Sequence, residues 1–430
     1  MSVSVPKSRT RLWHPFSDMS AVIGHELMLE RAEGVWLWDR DGDRYIDGTA
    51  SLWYSNIGHG RRRMADAIAQ QIVTLDAYSI FGDITNPPAE ALAERLAELA
   101  PLDDARVLLS TGGGDGIETA AKLARLYWAT QGSPNRTHIV SRSGSFHGVF
   151  GFGTSLGGIE GNRAGFGPLM PETSQVQHDS LAALEAEIAR VGPERVAAFF
   201  FEPVMGAGGV LLPPEGYVEG VADLCAEHGV LLVCDSVIAG FGRLGTWFGI
   251  ERFGVTPDMV VFAKGVTSGY LPLGGVLVAG HIAEPMWVGE GHRAWRHGTT
   301  YAGHPTCCVA ALTNIDIIEE EGLLDASRRL EGRLEQELRP LEKHPLVAEV
   351  RAGLGFVAAV QLRDEALARD PGAVAKLALA VRRHGVILRP LAREIALSPP
   401  LICEDEHVAM MGAAIRDALD DVAPALLGDG

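Results

Sequence analysis

Six short apolar runs alternate with helical patterns between residues 61 and 310, and this alternation leaves few folds open to the chain. The runs span 106–109, 138–140, 196–201, 230–234, 259–263 and 275–279, and each reads as a strand. Helical patterns at 115–130, 180–191 and 216–228 lie between or before several of them. A strand that is apolar along its whole length must be covered on both faces. The pattern therefore predicts a mostly parallel sheet layered with helices.

Two flanking zones differ from this block. Residues 1–60 contain Gly34-Val-Trp-Leu-Trp-Asp-Arg-Asp-Gly-Asp-Arg-Tyr-Ile-Asp47, two short alternating runs about Asp-Gly that predict a β-hairpin. Residues 311–430 mix helices with short strands at 355–361 and 386–388 and predict a smaller α+β domain. With 430 residues, the chain suits two to three domains.

Composition narrows the function. A formal net charge of −18 argues against nucleic acid and anionic membrane surfaces as partners. No apolar stretch approaches the length of a membrane span. The polar, basic stretch from Met1 to Arg11 has no apolar segment after it, so no secretory signal is expected. Five cysteines, at 225, 234, 307, 308 and 403, lack metal-ligand spacing and predict reduced thiols, a cytoplasmic protein and no metal site.

The chemistry concentrates at strand ends. Asp258-Met-Val-Val-Phe-Ala-Lys264 closes an apolar run on a lysine and enters a glycine-rich loop. Burial there would lower the lysine pKa toward the free amine, a nucleophile able to form a Schiff base. A surface lysine after a strand is the plainer alternative. Val230-Leu-Leu-Val-Cys-Asp235 ends on a carboxylate, which at the C-terminal edge of an open sheet faces the ligand crevice. An N-cap or ion-pair role would equally suit Asp235. Ser110-Thr-Gly-Gly-Gly-Asp-Gly-Ile-Glu118 links a strand to a helix, and its glycines would let backbone N–H groups converge on a phosphate. It matches neither GxGxxG nor a nucleotide P-loop, and a simple tight turn is the competing reading. Lysine, carboxylate and phosphate cradle together meet the needs of pyridoxal 5′-phosphate (PLP).

Several motifs occur in an order that resembles the class III (omega-type) aminotransferases of the fold-type I PLP superfamily. They are the Gly-Val-Trp-Leu-Trp-Asp hairpin, Gly58-His59-Gly60, the glycine turn, Phe146-His147-Gly148, Glu202-Pro203, Asp235 with Gly240-Phe-Gly-Arg243, Ala263-Lys264-Gly265 and Thr300-Tyr-Ala-Gly-His-Pro305. The resemblance runs from about Trp13 to Leu401. It implies a large PLP-binding domain at 61–310 with a mostly parallel sheet, a smaller α+β domain at 311–430, and an N-terminal segment at 1–60 that joins the small domain or an interface. By the same resemblance Lys264 carries PLP as a Schiff base and shuttles a proton, and Asp235 keeps the pyridine nitrogen protonated. Gly113 and Gly114 bind the phosphate, Phe146 stacks on the ring, and His147 belongs to the same cofactor set. Thr300 reaches the cofactor phosphate of a second subunit, which implies a homodimer or a dimer of dimers. Phe16, Trp53 and Arg389 line the substrate pocket, with Arg389 binding a carboxylate through its planar fork. Glu202 is expected to anchor a loop or an arginine and is assigned no catalysis.

The implied reaction is a ping-pong transfer from an amine or ω-amino acid to a keto acid or aldehyde. Aminomutases and decarboxylating transaminases share the fold and are the alternative. A nucleotide-binding or regulatory module would leave Lys264 without a task. Two positions depart from the family pattern. Gly114 stands where many relatives have serine, removing a hydroxyl hydrogen bond to phosphate worth about 1–3 kcal/mol. Ser236 stands where relatives usually have glutamate, which puts the hydrogen bonding around the ring in question.

Overall fold

The computed structural model describes residues 10–288 and 294–427. Most of the polar stretch from Met1 to Arg11 lies outside the described residues. The central feature is a seven-stranded sheet, numbered here along the chain: β1 Arg106–Ser110, β2 His138–Arg142, β3 Thr173–Val176, β4 Val196–Phe201, β5 Leu231–Asp235, β6 Met259–Phe262 and β7 Gly274–Val278. Their spatial order is β1-β7-β6-β5-β4-β2-β3. The pairs β2–β3, β2–β4, β4–β5 and β5–β6 are parallel, while β7 runs antiparallel to both β6 and β1. Reversing β7 leaves β1 parallel to the rest, so the C-terminal ends of β1, β2, β4, β5 and β6 share one edge.

The six apolar runs each became a strand, with ends displaced by at most two residues. Strand β3 escaped the sequence reading because Thr173-Ser-Gln-Val176 lies at the sheet edge and buries only Val176. Strand β4 shows why the runs are continuous rather than alternating. Phe199 and Phe201 pack in the core with Leu184, Ile188, Val218 and Val221, while Phe200 packs on the other face with Ile117, Ala120 and Ala124. Both faces are dry, so polar alternation would bury unpaired groups. Truncating one of these rings to alanine would cost about 3–5 kcal/mol.

Two four-stranded sheets flank the large one. In the first, the expected hairpin forms between Trp36–Asp39 and Arg44–Asp47, turned by Asp39, whose Oδ1 accepts the N–H groups of Asp41 at 3.0 Å and Asp43 at 2.9 Å. Leu29–Glu33 adds on one side, and Val386–Ile387 pairs in parallel with the hairpin on the other. The N-terminal segment is thus bonded to the C-terminal third. The second sheet has the order Val347–Arg351, Ala358–Leu362, Glu394–Leu397, Arg389–Pro390.

Residue 310, the expected domain edge, falls inside a continuous helix, Pro305–Glu320. Fully buried Arg243 ties the zones together. It donates to the carbonyls of Phe356 at 2.8 Å and Pro399 at 2.7 Å and to Asn56 Oδ1 at 2.9 Å.

Candidate active site

Asp235 is the last residue of β5 and pairs in register with Val261 of β6, two residues before Ala263 and three before Lys264. Adjacent parallel strands therefore deliver carboxylate and amine to one rim. Both line a cavity at the C-terminal edge with Gly113, Gly114, Ile117, Phe146, His147, Gly148, Glu202, Val237 and Ile238. Six of the residues nominated from sequence meet there: Lys264, Asp235, Gly113, Gly114, Phe146 and His147.

Lys264 has a left-handed backbone, φ +48°. That conformation costs a non-glycine residue free energy and persists only where neighbours over-determine it. Here Asn314 Nδ2 holds the carbonyls of Gly265 at 2.9 Å and Val266 at 3.0 Å, and Ser268 Oγ donates to Asn314 Oδ1 at 2.6 Å. Asn314 lies on Pro305–Glu320, fifty residues on, and carries no local sequence signal. Burial pushes the Lys264 ammonium down to about 8, opposed in part by the charges of Asp235 and Glu202 and reinforced by Arg389.

Asp235 is buried and engaged at both oxygens. Oδ2 accepts from His147 Nδ1 at 2.8 Å and Oδ1 from the Val237 N–H at 3.1 Å. His147 must donate from Nδ1 to a carboxylate, and its buried Nε2 has no partner among the described residues. Glu202 Oε1 accepts the Phe146 N–H at 3.1 Å and Oε2 the Gly206 N–H at 3.0 Å, so this carboxyl group anchors two loops. Burial raises its pKa, opposed by His147 and reinforced by Asp235.

The glycine turn opens the 18-residue helix α1, Gly113–Thr130, with Gly112 as N-cap. Asp115 folds back to accept the Thr111 N–H at 3.1 Å and also the Thr111 hydroxyl. As first residues of the helix, Gly113 and Gly114 have N–H groups with no carbonyl in a preceding turn, and the helix dipole adds positive potential. A Cβ on Gly113 would lie 2.8 Å from Val237 Cγ2, which makes glycine a packing requirement there.

The other nominated residues are placed differently. Phe16 meets Phe146 edge-on, ring centroids 6.1 Å apart, with its backbone at φ +52°. Trp53, at φ +67°, is buried in a cluster with Val204, Val210, Leu244 and Ala396, against which Ile238 of the cavity also packs. Arg389 is half-buried on its short strand, and its guanidinium has no hydrogen bond or ion pair among the described residues. Burial lowers its pKa. Thr300 is exposed and does not line the cavity of its own chain. Ser236 is fully buried but turns its hydroxyl to Cys234 Sγ, at 3.3 Å, and away from the cavity. Val237 and Ile238 were not singled out from sequence. Their one signal is position, just after the strand-end aspartate.

A desolvated lysine, a carboxylate held by a histidine, an aromatic ring and a helix N-terminus with free N–H groups fit PLP at its aldehyde, ring nitrogen, ring face and phosphate. Fold and site define a PLP-dependent enzyme of fold-type I. Comparison with known proteins narrows this. The family model for aminotransferase class-III matches residues 19–419, and the chain belongs to that family. It is 33% identical to the putrescine–pyruvate aminotransferase of Pseudomonas aeruginosa, over 99% of this chain and 100% of that one. The PLP-bound amine transaminase from an uncultivated Pseudomonas species superposes with TM-score 0.92 at 37% identity, covering 97% and 100% of the two chains. An (S)-enantioselective omega-transaminase from Thermomicrobium roseum gives TM-score 0.91 at 40% identity, covering 95% and 96%. The protein is an aminotransferase that uses PLP, and these relatives favour amino transfer over the aminomutase and decarboxylating alternatives. No helix among the described residues is long and apolar enough to cross a membrane.

Proposed function

We propose that this chain transfers the amino group of a primary amine or ω-amino acid to a keto acid or aldehyde in two half-reactions, acting as a cytoplasmic homodimer or dimer of dimers. The carrying observation is the Lys264 amine, desolvated and held in a strained backbone beside Asp235. PLP, when bound, supplies an electron-withdrawing ring that disperses the charge developing at the substrate Cα. Lys264 would hold the aldehyde end of the cofactor, and its Nζ would take the Cα proton and return it. A pKa of about 8 suits that exchange. Asp235 keeps a proton on the ring nitrogen, and His147 orients Asp235. Gly113 and Gly114 hold the phosphate through backbone N–H groups, and Phe146 packs on the ring.

Arg389, partnerless among the described residues, is our candidate for the acceptor carboxylate. The donor then occupies the apolar side formed by Trp53 and Phe16. The name of the Pseudomonas aeruginosa relative, a diamine donor with a keto-acid acceptor, supports that division of the pocket. Thr300, exposed beside the equally exposed Tyr301, supports the reading that it completes a neighbouring subunit's phosphate site. Residues 61–310 would then form the cofactor domain, with 1–60 and 311–430 closing over it.

A screen of amines and diamines against pyruvate, 2-oxoglutarate and simple aldehydes, followed by the cofactor spectrum, tests the assignment. With Arg389→Ala, kcat/KM for keto acids should fall about 10- to 100-fold, the worth of a charge-assisted hydrogen bond, while aldehydes lose little. Equal losses on both acceptor classes would remove Arg389 from the substrate site.

A further inference from the structure

The glycine at 114 has a structural counterpart on the facing loop. A Cβ built on Gly114 would lie 3.1 Å from both Cδ2 and Cε2 of Phe150, closer than carbon atoms normally approach. The Phe150 backbone is held from both sides. Gly148, at φ +100°, brings its own Cβ position to 3.0 Å from Gly114 Cα, so the two backbones are in contact. Beyond Phe150, Glu118 of α1 accepts the N–H groups of Phe152 at 2.6 Å and Gly153 at 3.0 Å, capping the short helix Gly151–Leu156. Phe150 is bracketed by these anchors and remains 49% exposed over the start of α1.

We propose that Gly114 and Phe150 form a coupled pair that sets how tightly this chain holds the PLP phosphate. The Phe150 ring takes the space that a serine at 114 would use, so a hydroxyl ligand is exchanged for an apolar cover over the helix N-terminus. The cover lies against Gly114, shields its N–H from water on that side and strengthens its bond to an anion. The pair acts on cofactor retention and has no part in proton transfer. The inference rests on the reading of Gly113 and Gly114 as the phosphate cradle.

Its test is a double-mutant cycle on the full-length protein, with PLP and phosphate-free pyridoxal titrated into cofactor-stripped samples of the parent, Gly114→Ser, Phe150→Ala and the double variant. The ratio of the two affinities within each variant cancels any general loss of stability. In the parent background the serine should leave the PLP/pyridoxal ratio unchanged or lower it. In the Phe150→Ala background the same serine should raise it about tenfold, one charge-assisted hydrogen bond. Phe150→Ala alone should lower it several-fold. A serine that raises the ratio by the same factor in both backgrounds overturns the coupling. A ratio that no variant moves overturns the cradle reading and the proposal with it.

Discussion

The two ends of the proposed cofactor cavity solve different problems. At the α1 end the groups proposed to work are backbone N–H groups, and the side chains matter by their absence, as at Gly113 and Gly114. At the β5–β6 end the proposed working groups are side chains, and the backbone is bent to present them, as at Lys264. A backbone site tolerates little volume and is indifferent to acid–base chemistry. A side-chain site depends wholly on which group is present and how dry it is. The ends meet at Val237, whose side chain limits the volume at Gly113 and whose N–H holds Asp235.

The sharpest break comes at the side-chain end. Lys264→Ala should cut turnover by about four orders of magnitude, the upper range for a positioned acid–base group, while the backbone cradle still retains PLP noncovalently. Single-turnover rates and PLP titration of the variant check both parts; wild-type rates would remove Lys264 from the chemistry. A smaller effect is expected at the backbone end. Gly113→Ala pushes on Val237 and should weaken PLP binding about tenfold, within the usual range for a packing clash, and Val237→Ala should recover most of it. PLP titration reads this directly, and failure of the second change to compensate would separate the two ends.

The least disruptive test is pH. The Lys264 ammonium falls from the ordinary 10.5 to about 8, so between those values the folded cofactor-free chain binds fewer protons than the unfolded one. Its contribution to stability therefore rises with pH across that window. The rate of PLP capture should rise with it, about tenfold from pH 7 to pH 9, because only the free amine attacks. A rise of about a hundredfold over the same range, as the ordinary 10.5 requires, would mean the amine is not desolvated.

Much of this molecule is legible in local pattern. Continuous apolar runs, glycines at a strand–helix junction and charged residues at strand ends depend on near neighbours in sequence, and the four residues read that way, Lys264, Asp235, Gly113 and Gly114, converge on one cavity with Phe146 and His147, which only the family resemblance brought forward. The polar edge strand β3, the antiparallel course of β7 and the pairing of Val386 with Ile46 depend on distant partners and carry no comparable signal. The same holds for the left-handed backbones of Phe16, Trp53 and Lys264. None of the three is glycine, so nothing local announces the conformation.

By itself, then, the sequence determined which chemical groups this enzyme owns and on which strand ends they sit, because side-chain identity and hydrophobic period are local properties. Only the tertiary structure decided how those groups behave. Desolvation of Lys264, the grip of Asn314 on the loop beyond it and the contest between Phe150 and Gly114 for one volume arise from atoms brought together across the chain.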